Sequence, residues 1–341
     1  MSRSQSTDVP GHDSYAAFRF RDYRFLISGS FLMVMAQAIL SITVGYELYE
    51  RTGSALALGM VGLAQIVPNV LFSIPAGQFV DQHDAKVVSV CAVSLNAASA
   101  AALAMLTRTQ GPIVLIYVCL FLIGVGRAFR SPTQSPLLAS VIPSHSFSNA
   151  VAWNSSSNQT ATILGPAIGG FGIALFGNAW IVFAIAAGML AVSAFSVSRI
   201  TKRPARQTKE KMTKESLLAG IRFITSTKVL FAAITLDMVA VLLGGATALL
   251  PIFAEDVLDV GAVGLGLMRS APAVGAVITS LAIARKGPFE AAGRTLLLAV
   301  TGFGLATILF GVSRYLPLSL FALMLLGVFD SISVVIRNTL Q

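Results

Sequence analysis

The chain has 341 residues, of which 55% are hydrophobic and 11% charged. A soluble domain carries roughly 25% charged residues, so this one cannot cover a water-facing surface, and lipid is the solvent that remains. The net charge of +9 would suggest nucleic acid only if the basic residues gathered on one exposed face. They do not, and nucleic acid is excluded as a partner.

Residues 1–23 form a polar N-terminal segment, with the first 17 expected to lack order. A spanning helix needs about 20 mostly apolar residues. Runs of that kind fall near 24–47, 55–80, 87–107, 112–140, 150–176, 179–198, 229–253, 262–284, 295–313 and 316–338. The first run is too long for the core of a cleavable signal. The fold class is therefore an all-α membrane protein: residues 24–198 make a six-helix half, and 229–341 make a second set of four helices. Between them, 199–228 is a cytoplasmic loop, basic from Lys202 to Lys214. Its Leu217, Leu218, Ile221 and Ile224 then recur at the spacing of an amphipathic surface helix.

Alternating spans allow the orientation to be read from Lys and Arg. With the N-terminus in the cytoplasm, only Arg51, Arg108 and Arg314 fall on the opposite side, and Arg127, Arg130 and Arg269 fall inside spans. All other basic residues are cytoplasmic, as the positive-inside rule requires, and they face anionic headgroups. The location is the cell membrane, plasma or inner.

Cys91 and Cys119 sit in apolar stretches as small apolar side chains, and His12, His83 and His145 lie in polar connections. No nucleophile–base set, metal-ligand spacing or phosphate-cradling glycine loop is legible. No enzyme, metal or cofactor is expected.

Two segment pairs repeat. Gly62 to Val70 aligns with Gly266 to Val274, and Leu122 to Arg127 with Leu325 to Asp330, at offsets of 204 and 203. The second helix thus matches the eighth and the fourth matches the tenth. This is a parallel repeat of six helices, whose halves are related by an axis along the membrane normal. By that offset the partners of helices 5 and 6 would end near residue 401, about 60 residues beyond Gln341, so the chain reads as short of its full length.

Six-plus-six parallel halves with a long basic central loop resemble the major facilitator superfamily. Gly77 to Lys86 resembles its cytoplasmic motif between helices 2 and 3, with Gly77 and Asp81 four apart and Lys86 following. Gln82 stands where the family has Arg or Lys. Gly165-Pro166-Ala167-Ile168-Gly169-Gly170 resembles the Gly-Pro signature of proton-antiporting exporters. Tyr46 to Ser54, Asn149 to Asn154 and Leu249 to Ala254 resemble the enterobactin-exporter-like, transmembrane secretion effector branch. The resemblance covers about residues 15–341 and implies a major facilitator fold, with 6 + 4 of 6 + 6 spans present. It also implies efflux of a small molecule.

The residues suggest roles of their own. Gly77 allows close helix approach at a cytoplasmic end, and Asp81 can face the dipole at the start of helix 3. With Lys86 they form either a gating latch, which in the family works against helix 11, or an ordinary helix-end cap. Charges at a helix centre cost ~2.5–3.5 kcal/mol each on insertion scales, so intramembrane charges usually face a cavity or a partner. Arg127 and Asp330 fall at equivalent places in the repeat with opposite signs. Both are expected to face a central cavity, where they bind substrate, pair with each other or alternate; a static pair or reach to the headgroups is the plainer reading, with Arg130 the better placed to snorkel. Arg269 balances an acid or an anionic substrate.

Asp237, between Leu236 and Met238, has its charged form disfavoured by apolar surroundings. That suits a proton-coupling site; its plainer reading is a pair with Lys228. Glu47 is the rival acid, otherwise an interfacial residue in water. Pro166 removes a backbone donor, and Gly165, Gly169 and Gly170 permit tight crossing, either as plain packing or as a leak-proof exporter helix. Trp153 and Gln159 are expected to line the cavity.

The expected function is proton-coupled export, by alternating access, of a small amphipathic molecule such as a drug or siderophore. The partners are that substrate, protons and the bilayer, and the chain is expected to be monomeric. An importer or uniporter on the same scaffold, or a non-transporting truncated membrane protein, is the alternative.

Overall fold

The computed structural model describes residues 15–143, 146–201, 249–286 and 292–340, together with position 235. The described residues form helices and short connections. We label them α1 (Arg21–Thr52), α2 (Ala55–Gln82), α3 (Ala85–Arg108), α4 (Ile113–Val141, passing through a 3₁₀ turn at Ser131–Thr133), α5 (Phe147–Phe176) and α6 (Ala179–Ser198). The seventh expected span is described only at position 235 and at its end, α7 (Leu250–Ile252), which runs into a π-helical turn, Phe253–Val257. Then come α8 (Gly261–Lys286), α9 (Ala292–Val312) and α10 (Leu316–Leu340).

Nine of the described helices are long and apolar enough to cross a membrane. They lie where the apolar runs placed them. The loop at 199–228 lies outside the described residues, apart from its first three positions. Helix ends follow local chemistry. Gly53 and Gly177 adopt the left-handed conformation just past α1 and α5, and their N–H groups bond back to Tyr49 O and Ile173 O.

Residues 15–20, the described part of the N-terminal lead, are ordered although the first 17 were expected not to be. Ala16–Arg19 form a 3₁₀ turn that docks on the start of α5. Ala17 N–H donates to Asn149 Oδ1 at 3.2 Å, and the Tyr23 hydroxyl donates to Ala150 O at 2.9 Å. Tyr15 stacks on Trp153 with ring centres 5.5 Å apart, and Phe18 meets the same indole edge-on at 5.1 Å. Phe18 also meets the buried Tyr23 ring edge-on at 5.6 Å, so the aromatic residues of this segment hold it against α5. Trp153 is thereby committed to this cluster, which corrects its expected place in the cavity; neither it nor Gln159 lines either cavity described below.

In the first half α1 packs on α5 and α6, α3 on α4 and α6, and α2 on α4. In the second, α8 and α9 both pack on α10, and the main described contact between halves is α5 on α8. The repeat has a physical counterpart in these pairings. A Cβ at Gly124 of α4 would stand 2.6 Å from Gln65 O, beside the Pro68 bend of α2. Its equivalent, Gly327 of α10, sits against the Pro272 carbonyl of α8. Each half thus packs a glycine of its fourth helix onto the proline bend of its second.

Candidate functional site

Two cavities concern the charges singled out above. The smaller, about 440 Å³, lies between the halves. α1, α2 and α4 contribute Ser41, Gln65, Asn69 and Arg127, while α7 and α8 contribute Pro251 and Arg269. Arg269 Nη2 donates to Ser41 Oγ across the interface at 3.3 Å. Arg127 and Arg269 therefore line one cavity, whereas the expected partner of Arg127 was Asp330. Asp330, the repeat partner of Arg127, is exposed on α10 and does not line this cavity. Arg130 departs from expectation. It is only 3% exposed, wedged against α1 with Nη2 3.4 Å from Ser30 Oγ, so packing takes it rather than snorkelling.

The larger cavity, about 900 Å³, opens at the far end of the first half, among α1, the α3–α4 turn and the α5–α6 turn. Glu47 lies here, 5% exposed, with Oε1 2.5 Å from Arg51 Nε, so it is no water-facing residue. Arg51 also donates to Gly111 O at 3.1 Å and Thr107 O at 3.2 Å, gripping the carboxyl end of α3. Arg108 covers the Trp180 ring at 5.1 Å.

Beside it, α1 meets the end of α7. A Cβ at Gly45 would lie 3.3 Å from Pro251 Cγ, and the Tyr49 hydroxyl donates to the Asp256 carboxylate. Glu255 in the π-helical turn is pushed above the usual carboxylate range, chiefly by burial and then by Glu50, Asp256 and Asp259. Sequence reasoning missed this acid group and the Arg51 clasp. The Glu47/Arg51 spacing of four was the available signal, whereas Glu50 and Glu255 are 205 positions apart in the chain. Asp237, the other proton candidate, lies outside the described residues.

At the opposite end, Asp81 is exposed in the last turn of α2, and no described atom lies within 4 Å of where a Cβ on Gly77 would stand. The close approach expected at Gly77 is absent among the described residues, because no neighbouring helix covers that face. The cap of α3 is Asp84, whose Oδ1 accepts from Lys86 N–H at 2.9 Å, and not Asp81. Lys86 Nζ donates to Ile200 O at 2.7 Å, just beyond α6. A cation at a helix carboxyl end contributes about 0.3–1 kcal/mol. Lys86→Met should therefore lower stability by about that much, read as a small fall in the unfolding midpoint of the purified protein.

The helix 5 glycines face two ways. A Cβ at Gly165 would stand 3.1 Å from Met35 O, and one at Gly169 2.7 Å from Ile42 Cγ2, both on α1. Gly170 faces α8: its Cβ would collide with Ala262 O and come 2.9 Å from Gly266 Cα. Gly266 in turn would place a Cβ 2.7 Å from Pro166 O. Pro166 lies inside this helix, where it leaves a backbone bond unmade.

A family model described as transmembrane secretion effector matches residues 12–334. The chain is 24% identical over 298 residues to macrolide efflux protein A of Streptococcus pyogenes, covering 86% of this chain and 72% of that protein. It is 27% identical over 155 residues to the staphyloferrin A transporter of Staphylococcus aureus, covering 45% and 39%. Among solved structures, a bacterial homologue of the human lysosomal transporter Spinster, inward-facing and occupied, superposes with a TM-score of 0.71 at 14% identity. That match covers 94% of this chain and 74% of the other.

Proposed function

This chain belongs to the transmembrane secretion effector family of the major facilitator superfamily, and on that premise we propose that it exports a small amphipathic molecule in exchange for protons. The family is one of multi-pass membrane transporters rather than enzymes. The observation that carries the reading is the cavity shared by the two halves, with Arg127 on one wall and Arg269 on the other. A site built from both halves changes its exposure when they rock, which is the requirement of alternating access. The similarity to a macrolide efflux protein supports export, and that to a staphyloferrin A transporter supports a small-molecule substrate.

In this reading the N-terminus is cytoplasmic, and Glu47, Glu50 and Glu255 lie toward the outside. Asp237, Glu47 and Glu255 are the candidate proton carriers. The sign follows from burial first and crowding second. Burial, then Glu50, Asp256 and Asp259, raise Glu255; of these acids only Glu50 stands on α1, so an outer face that parted α1 from α7 would wet Glu255, remove Glu50 and hold the proton less tightly than the closed one. Acid outside therefore favours closure over a bound proton, and this arrangement is lost as pH rises through the raised range of Glu255.

Everted vesicles test the proposal. An exported compound should dissipate a pre-formed, acid-inside proton gradient, and Asp237→Asn or Glu255→Gln should uncouple the two fluxes. In Glu255→Gln, dependence of flux on lumenal pH should flatten. Compound accumulation with no proton movement in the unaltered protein would overturn antiport.

A further inference from the structure

One stripe of α1 meets the second half over its last three turns. Ile42 is buried in the same cluster as Leu250, Ala254 and Leu265. Next on the stripe, Gly45 approaches Pro251, where a Cβ would stand 3.3 Å from Cγ. Beyond it, the Tyr49 hydroxyl donates to Asp256 Oδ2. Ile42, Gly45 and Tyr49 are spaced as one helical face. Glu47 and Arg51 lie on the opposite face and turn to the cavity of the first half.

We propose that Tyr49 and Asp256 form the outer latch, a hydrogen bond that ties the end of α1 to the second half while the outer face is closed and breaks each time it opens. The inference rests on the transport reading for the rocking of the halves, but the latch can be measured without transport.

The geometry sets this contact apart from those below it. Apolar contacts such as those of Ile42 yield gradually as surfaces slide. A hydrogen bond is lost once its partners part beyond about 3.5 Å. Tyr49 stands in the last turn of α1, which ends at Thr52, so a small opening at that end is enough.

The surrounding charges make an attractive contact necessary. Glu50 stands on α1, and it acts on Glu255 across the join. Closure brings these acids together, which like charge opposes. The Tyr49 O–H is a donor set among acceptors, and a bond to a carboxylate is stronger than one between neutral groups.

The backbone that carries Asp256 is irregular. Leu258 N–H bonds to Phe253 O and Val260 N–H to Ala254 O, where an α-helix would use Ala254 and Asp256. Asp259 and Gly261 then adopt left-handed φ of 50° and 58°. Wide turns of this kind are frequent at functional positions, and elements that move are drawn from the less regular parts of a fold.

The opening equilibrium of the full chain in phosphatidylcholine nanodiscs tests the proposal, read as distances between spin labels. Cys91→Ser and Cys119→Ala remove the native thiols. Labels on Thr109→Cys and Arg314→Cys report the outer separation of the halves, and labels on Gln82→Cys and Arg294→Cys the inner one; all four positions are exposed. The unaltered protein should show a population at short outer distance. Tyr49→Phe keeps the ring and removes the donor, and should raise the ratio of long to short outer distances by about threefold to tenfold. In Asp256→Ala the same change should have no effect, because its acceptor is gone. Glu50→Gln relieves repulsion without touching the bond, and should lower the ratio.

Outer distances that ignore Tyr49→Phe, an equal effect of Tyr49→Phe with and without Asp256, or an unaltered protein with no short outer distance would each overturn the latch. The inner labels separate it from the transport reading. Outer opening that depends on Tyr49 with no inner change leaves the latch and removes rocking. Reciprocal outer and inner changes that ignore Tyr49 leave rocking and remove the latch.

Discussion

Gly170→Val should abolish transport, and Gly170→Ala should already impair it. A Cβ at this position meets backbone atoms of α8, Ala262 O and Gly266 Cα, and backbone cannot rotate away as a side chain can. Overpacking commonly costs about 1–3 kcal/mol, and a clash with fixed backbone belongs at the upper end of that range. The expected damage is specific to the join between halves. Gly165→Val and Gly169→Val press on α1 instead, so they should lower thermal stability of the first half at least as much. Flux in vesicles and unfolding of the purified protein, measured together, separate the cases. Normal flux in Gly170→Val would show that the α5–α8 contact is not needed for transport.

Arg51→Ala should be the more destabilising of the two ways to break the Glu47–Arg51 ion pair. Arg51 joins Glu47 in a buried position and also satisfies carbonyls at the end of α3. Its loss strands a carboxylate and frees those acceptors, for which about 3–5 kcal/mol is expected. Glu47→Gln leaves Arg51 its backbone acceptors and keeps the side-chain volume, so about half that loss is expected. Thermal unfolding in detergent ranks them, and a milder effect for Arg51→Ala would mean that water reaches the pair.

Spans, repeat and glycine contacts were legible because membrane helices carry long, simple signals. Twenty apolar residues have few alternatives in lipid, and a glycine spacing of four names a face before it names a partner. The sequence could not say which neighbour each face meets: Gly169 and Gly170 are adjacent in the chain yet press on different helices. Arg127 and Arg130 were legible as charges, but not their fates, since one turn of helix separates a cavity wall from a packed core. The Glu255 environment was illegible because it depends on Glu50, which only the fold brings near. Asp84 and Asp81 lie three apart, and choosing the capping one requires knowing where α2 stops.

Among the described residues, the tight join of Gly170 to α8 is not at mid-height. Gly170 is six residues, about 9 Å, from the end of α5 at Phe176 and 23 residues, about 35 Å, from its start at Phe147. A rigid half turning about that point is a lever with arms in a ratio of about one to four. Drawing the outer ends together by 2 Å would swing the inner ends apart by about 8 Å. If the halves rock as proposed, with Glu47 and Glu255 outside, a hydrogen bond or a proton at those acids acts over ångströms while a drug-sized molecule needs a doorway several times wider, and the unequal arms would supply that conversion.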